Sequence, residues 1–318
     1  MPRIVYPDAD TEFATLLAGP FADRMSALGN HEVHLGQPET DIAWLQRIGD
    51  AEAIILGWGL PDAVIERAPN LRMISFTGIG VANFVNLALC TSRDITVSNT
   101  PGYADQTVAE HTLALMFACA RHIVSLDRAV RSGHWRGDQQ GFDLRGKTLG
   151  LIGFGGIGRR TADLATALGM HVVAWARDRA VVDASPSAVF ADMPELLRES
   201  DIVSLHLALN TETIGFLDAD RIGTMKEGAV LINTARGELI DETAMIEALQ
   251  DGRLSSAGVD VFAEEPLPDD HPFRSIENVV LTPHTGFNTP EAGVAILELA
   301  IANLEAWNRG VPINVVIP

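Results

Sequence analysis

Over the first hundred residues, short apolar runs alternate with longer amphipathic stretches. Residues 3–6, 31–35, 53–56, 73–76 and 95–98 read as strands, and 11–28, 40–49 and 61–68 read as helices. Thr40 or Asp41 is the expected cap of the second of these helices. After Asn99-Thr100-Pro101-Gly102 the texture changes. From Asp105 to about Arg131 the chain is apolar and free of glycine and proline, which predicts one long, largely buried helix. A polar, glycine-rich loop is expected over 133–146. A second series of strands follows at 148–152, 171–175, 202–205, 229–233 and 256–259, with a further apolar run at 279–281. The tail 289–308 reads as a helix through Val294, Leu297, Ile301 and Leu304.

Strands alternating with helices predict parallel sheets covered on their faces. Two such series predict an α/β chain of two doubly wound domains, one Rossmann-type and one flavodoxin-like, with a cleft between them. The Pro-Gly at 101–102 is one crossing point and Thr289-Pro290 the other. Residues 1–99 and 290–318 are therefore expected to form a substrate domain, and 100–289 a dinucleotide-binding domain.

The sharpest local pattern is Gly153-Phe154-Gly155-Gly156-Ile157-Gly158, which follows a strand and opens a helix. In a G-x-G-x-x-G turn, Gly153 permits the tight bend and Gly155 lets backbone approach a pyrophosphate. Gly158 lets the helix pack against the strand, and the helix N-terminus offers free N–H groups. A dinucleotide is the expected ligand. The position after the next strand, where a ribose-binding acid often stands, is Ala176, followed by Arg177 and Asp178. Arg177 suits a 2′-phosphate, so NADP is expected ahead of NAD, with Asp178 as the opposing possibility.

Three residue types that ketone reduction needs stand after strand-like runs: Arg236, Glu265 and His284. A histidine donates the proton, a carboxylate orients it and favours its charged form, and an arginine fork grips a substrate carboxylate.

Composition then narrows the partners. The 318 residues carry 42 acidic and 23 basic side chains, a formal charge of −19. That field repels nucleic acid and anionic membranes, and it makes a local cation necessary for any anionic substrate. Two cysteines, Cys90 and Cys119, support neither a disulfide framework nor a thiolate metal site, and read as small buried hydrophobes. No metal is expected. With no secretory segment and no apolar run near ~20 residues, a cytoplasmic protein is expected. The apolar character of 105–131 further predicts a homodimer through that helix.

Together with Gly78-Ile79-Gly80-Val81, Val108-Ala109-Glu110, Asn233-Thr234-Ala235-Arg236-Gly237, Asp260-Val261-Phe262, Glu265-Pro266 and Thr282-Pro283-His284, these motifs make essentially the whole chain resemble the D-isomer-specific 2-hydroxyacid dehydrogenases. The resemblance is to the glyoxylate/hydroxypyruvate reductase-like members. It implies that Arg236 binds the substrate carboxylate and carbonyl, that His284 is the acid/base, and that Glu265 is its partner. It implies cofactor contacts from Thr213, Thr234, Ala235, Asp260 and Gly286, and substrate contacts from Gly57, Trp58, Ile79 and Gly80. Trp58 reads equally well as a core residue. Glutamate at 265 departs from the glutamine of formate-oxidising relatives and argues against formate. The implied activity is hydride transfer between NAD(P)H and a small 2-keto or D-2-hydroxy acid. A dinucleotide-sensing corepressor and a dehydrogenase of another small anion, such as phosphite, are the alternatives.

Overall fold

The computed structural model describes residues 2–135 and 139–316. The expected loop 133–146 thus includes three residues, 136–138, that lie outside the described residues, as do Met1 and the tail's 317–318. The chain divides into two compact units, residues 1–103 with 289–318, and residues 104–288.

The first unit holds a five-stranded parallel sheet of β1 (Arg3–Ala9), β2 (Asn30–Leu35), β3 (Ala53–Leu56), β4 (Met73–Phe76) and β5 (Thr96–Ser98), in the order β2-β1-β3-β4-β5. This is the flavodoxin-like order. β3 is apolar, β4 is apolar except for Ser75, and both are buried throughout because helices cover both faces. The expected helix 11–28 is two helices, α1 (Thr11–Ala18) and α2 (Ala22–Leu28). Gly19-Pro20 interrupts the apolar spacing, since proline disfavours a helical residue before it. α3 (Asp41–Ile48) is capped by Thr40, whose hydroxyl accepts the Ala43 N–H at 3.2 Å. α4 (Asp62–Arg67) and α5 (Leu87–Ser92) complete the early helices. The C-terminal helix Pro290–Asn308 packs in this unit's core, where Leu297, Ala300 and Ile301 meet Ile4, Tyr6, Ile55 and Met73.

The second unit opens with the segment expected to be one long helix. It is two, α6 (Asp105–Ala120) and α7 (Ile123–Arg131), separated by His122 at φ 52°. α6 spends its apolar side chains inside the unit, with Leu113, Leu115, Met116 and Cys119 in the core. α7 buries only Ala129. A seven-stranded parallel sheet follows, built from β6 (Thr148–Ile152), β7 (His171–Trp175), β8 (Val189–Phe190), β9 (Ile202–Leu205), β10 (Ala229–Asn233), β11 (Leu254–Val259) and β12 (Val279–Leu281). Its order, β12-β11-β10-β9-β6-β7-β8, is the Rossmann order with one added edge strand. The chain reverses direction of travel across the sheet between β6 and β9, which places a switch point at their carboxyl ends. α8 (Gly156–Ala167), α9 (Ala180–Asp183), α10 (Met193–Glu199), α11 (Ala219–Thr224) and α12 (Glu242–Gln250) complete the unit. Cys90 and Cys119 are free and buried, and burial pushes their thiols up to about 11 and about 12.

Candidate active site

The glycine turn lies at the switch point. Gly153 sits at φ 102°, and a Cβ there would collide with the carbonyl oxygen of His206, which follows β9. A Cβ on Gly158 would strike the carbonyl oxygen of Gly153. Gly155 differs: its Cβ position has no heavy atom within 4 Å. Two glycines are thus required by the protein's own packing, whereas the third leaves open space. α8 begins there with no side-chain cap from Gly155, which leaves N–H groups of its first turn for an outside acceptor. The arrangement fits a dinucleotide pyrophosphate. The sequence reading missed two neighbours. The Asp105 carboxylate of α6 fills the space that a Cβ on Gly156 would take. His206 stacks behind the turn, where burial pushes it down to about 4, so it is neutral at pH 7.

After β7, Arg177 donates to Glu212 at 2.6 Å, and both side chains are exposed. Asp178 turns back on its own chain and accepts the Ala180 N–H at 3.0 Å. Thr213 is buried; its hydroxyl accepts from the Asn210 N–H at 2.8 Å and donates to the Ala208 carbonyl at 2.7 Å, locking the 208–213 turn. Thr234 is buried against Thr112, hydroxyl to hydroxyl at 3.0 Å.

The candidate acid–base pair is assembled by two strand ends, those of β11 and β12. His284 Nδ1 lies 2.7 Å from Glu265 Oε2, and the other Glu265 oxygen accepts the Phe262 N–H at 2.9 Å. A carboxylate can only accept, so Nδ1 carries a proton and Nε2 is left as the nitrogen able to exchange one. His284 sits at φ 51°, a conformation disfavoured for a side-chain-bearing residue. Its N–H donates to the Asp260 carbonyl at 2.7 Å, and its ring meets Phe287 edge-on at 5.9 Å.

Asp260, 2% exposed, holds that loop in place. Its carboxylate accepts from Thr282 Oγ1 at 2.6 Å and from the N–H groups of Thr285 and Gly286 at 3.0 and 2.9 Å. Burial works to raise its pKa. The hydrogen bonds from His111, Thr282, Thr285 and Gly286 outweigh that and hold it below the usual carboxylate range. Gly286 leaves no room for a side chain, since a Cβ would sit 2.8 Å from Asp260 Oδ2. His111, 3.0 Å from Thr282 Oγ1, completes this brace. It follows the Val108-Ala109-Glu110 motif directly, and that adjacency was the only sequence signal for it.

Arg236 is brought to the same strand ends. Asn233, at the end of β10, accepts the Ala235 N–H at 3.0 Å and donates to the Arg236 carbonyl at 2.8 Å. Gly237 then lies so close to the Phe262–Ala263 peptide that any Cβ would overlap it. The Arg236 loop therefore rests on the segment that leads to Glu265. Gly57, Trp58, Ile79 and Gly80 belong to the first unit, in the loops after β3 and β4. Trp58 is 57% exposed and is not a core residue. Among the described residues, no group of three or more His, Cys, Asp or Glu could hold a metal ion. No described helix is long and apolar enough to cross a membrane.

A dinucleotide loop at a switch point beside a histidine–carboxylate pair and an arginine defines a nicotinamide-dependent dehydrogenase. Residues 113–286 match the NAD binding domain of the D-isomer specific 2-hydroxyacid dehydrogenases. The chain is 37% identical to the glyoxylate reductase of Pyrococcus furiosus, over 88% of this chain and 87% of that one. It is 32% identical to the hydroxypyruvate reductase of Blautia hydrogenotrophica, over 92% and 93%. An acyclic imino acid reductase solved with NADPH and D-arginine superposes with a TM-score of 0.87, at 31% identity, covering 99% of this chain and all of that one. The chain belongs to the D-isomer specific 2-hydroxyacid dehydrogenase family. It is an oxidoreductase that moves hydride between NAD(P)H and a 2-keto or 2-hydroxy acid.

Proposed function

We propose that this protein is a cytoplasmic reductase of a small 2-keto acid, of the glyoxylate or hydroxypyruvate kind, forming the D-2-hydroxy acid with NADPH as preferred donor. The observation that carries this reading is the 2.7 Å His284–Glu265 pair, with the Arg236 loop packed against its supporting segment through Gly237. Bound at the glycine turn, the cofactor supplies the hydride. Arg236 binds the substrate carboxylate and polarises the keto oxygen. His284 Nε2 gives its proton to that oxygen as hydride reaches the carbon, and Glu265 stabilises the imidazolium and aims the ring. Gly57, Trp58, Ile79 and Gly80 contact the acid. Thr213, Thr234, Ala235, Asp260 and Gly286 shape the cofactor site, several of them by bracing its loops. The glyoxylate and hydroxypyruvate reductases at 32–37% identity support the substrate class.

Three features support NADPH. Ala176 offers no carboxylate to a ribose, Asp178 is spent on the Ala180 N–H, and Arg177 is held only by an exposed partner. Exposed ion pairs contribute little, so a 2′-phosphate with its greater charge can replace Glu212 on Arg177. Glyoxylate, hydroxypyruvate, pyruvate and phenylpyruvate assayed with each reduced cofactor test the reading. Glyoxylate or hydroxypyruvate with NADPH should give the highest kcat/KM, and Arg177→Ala should erase the cofactor preference. Turnover of none of the four acids, or a wild-type preference for NADH, would contradict it.

We also propose a homodimer. α6 puts most of its apolar side chains into the core, but Phe117 on α6, Ile123 and Val130 on α7 and Trp135 beyond it are exposed, Trp135 by 92%. Large exposed apolar side chains are what an association surface would bury. Light scattering at micromolar concentration should return twice the chain mass, and Val130→Glu should halve it.

A further inference from the structure

A carboxylate is buried at the carboxyl end of the first sheet. Asp8, on β1, is 2% exposed and has no ion-pair partner among the described residues. It accepts the Gly57 N–H with both oxygens, at 3.1 and 3.2 Å, and the Trp58 N–H at 2.8 Å. Those N–H groups follow the last residue of β3, where the ladder ends. The fit is close, since a Cβ on Gly57 would lie 3.3 Å from the Tyr6 hydroxyl and 3.5 Å from Asp8 Oδ2.

The charged and titratable surroundings are few. On the same strand stands Tyr6, whose phenol burial and Asp8 push up, and just beyond it Asp10, the cap of α1, adds to that push. From α3, the Arg47 guanidinium binds the carbonyls of Pro7 and Gly36 and attracts Asp8 only through space. The loop after β3 contributes N–H groups alone.

Trp58 is the point of this arrangement. Its indole is more than half exposed, so packing of the side chain does not hold the loop. The hold is on its backbone, from a group that is costly to bury as an anion. An ionised acceptor grips N–H donors more strongly than a neutral one.

We propose that Asp8 is a positioning residue for the reduction: its ionised carboxylate sets the Gly57–Trp58 loop in the conformation that receives the keto acid. The inference rests on the reading that Gly57 and Trp58 contact substrate. It carries a sign. Burial outweighs the hydrogen bonds from Gly57 and Trp58 and the pull of Arg47, and raises Asp8 to about 6. As pH falls through that value, a protonated oxygen ceases to accept and the loop loosens. KM should therefore rise on the acid side.

Steady-state kinetics with glyoxylate and NADPH between pH 5 and 8 test this. Wild-type KM should climb about tenfold from pH 7 to pH 5, one unit below the titration. Asp8→Asn should raise KM about tenfold at pH 7 and flatten its acid-side rise, with kcat and the NADPH Kd within about twofold of wild type. Trp58→Ala separates the two ideas. If it leaves KM unchanged for every keto acid, the substrate-loop reading fails and the proposal with it. If it moves KM while Asp8→Asn keeps the wild-type KM and pH profile, the role of Asp8 alone is overturned. Should Asp8→Asn not fold, the wild type decides: a KM flat from pH 7 to pH 5 overturns the proposal.

Discussion

Replacing His284 with alanine should lower kcat for keto acid reduction by about 10²–10⁴-fold, the usual contribution of a positioned general acid. NADPH affinity should change by less than about twofold, because Asp260 holds the backbone of the histidine loop at Thr285 and Gly286 without the His284 ring. The ring has one nitrogen committed to Glu265 at 2.7 Å, so the loss falls on the single proton that Nε2 delivers. His111 cannot substitute, since its Nε2 is occupied by Thr282 and Asp260. Single-turnover kinetics with cofactor binding measured by fluorescence separate the two quantities. A variant with near-normal kcat would remove His284 from the chemistry.

Arg236→Ala is the second large effect, and it should appear mainly in kcat/KM. A guanidinium fork makes two charge-assisted hydrogen bonds to a carboxylate, each worth about 1.5–3 kcal/mol when made to a charged group. Losing both costs roughly 3–6 kcal/mol, or about 10²–10⁴-fold. Arg236→Lys keeps the charge but not the fork, and should fall between alanine and wild type. The melting temperature should barely move. Asn233 holds this loop through the backbone of Ala235 and Arg236, not through the arginine side chain. In a protein of net charge −19 the lost cation is not replaced by the general field, so raising salt should recover only part of the activity. Equal kcat/KM for wild type and alanine variant, measured with glyoxylate and hydroxypyruvate, would end the assignment.

Much of this protein is written locally. Buried parallel strands are continuous apolar runs, and 53–56, 73–76, 148–152 and 202–205 announce themselves for that reason. The G-x-G-x-x-G turn is equally local: the bend, the open space at Gly155 and the close contact at Gly158 arise within one strand–turn–helix segment. The residues proposed to carry the chemistry, Arg236, Glu265 and His284, stood out as candidates because strand-like runs precede each of them.

Tertiary structure decided what depends on groups distant in sequence. Nothing at Arg121-His122 signals a helix break, yet His122 adopts a left-handed conformation and the predicted long helix becomes two. With it, most of the apolar side chains of α6 turn out to be spent on the core, and the exposed apolar residues are Phe117 of α6 and Ile123 and Val130 of α7. Asp260 shows the same dependence. Its carboxylate serves Thr282, Thr285 and Gly286, more than twenty residues away, and so creates the backbone in which His284 is held. Asp8 lies forty-nine residues from Gly57 and gave no pattern at all. Periodicity reports which face of an element is buried, because that depends on near neighbours in sequence. Which N–H group a buried carboxylate meets depends on how parallel strands order themselves in a sheet, and that order is set by the packing of the whole unit.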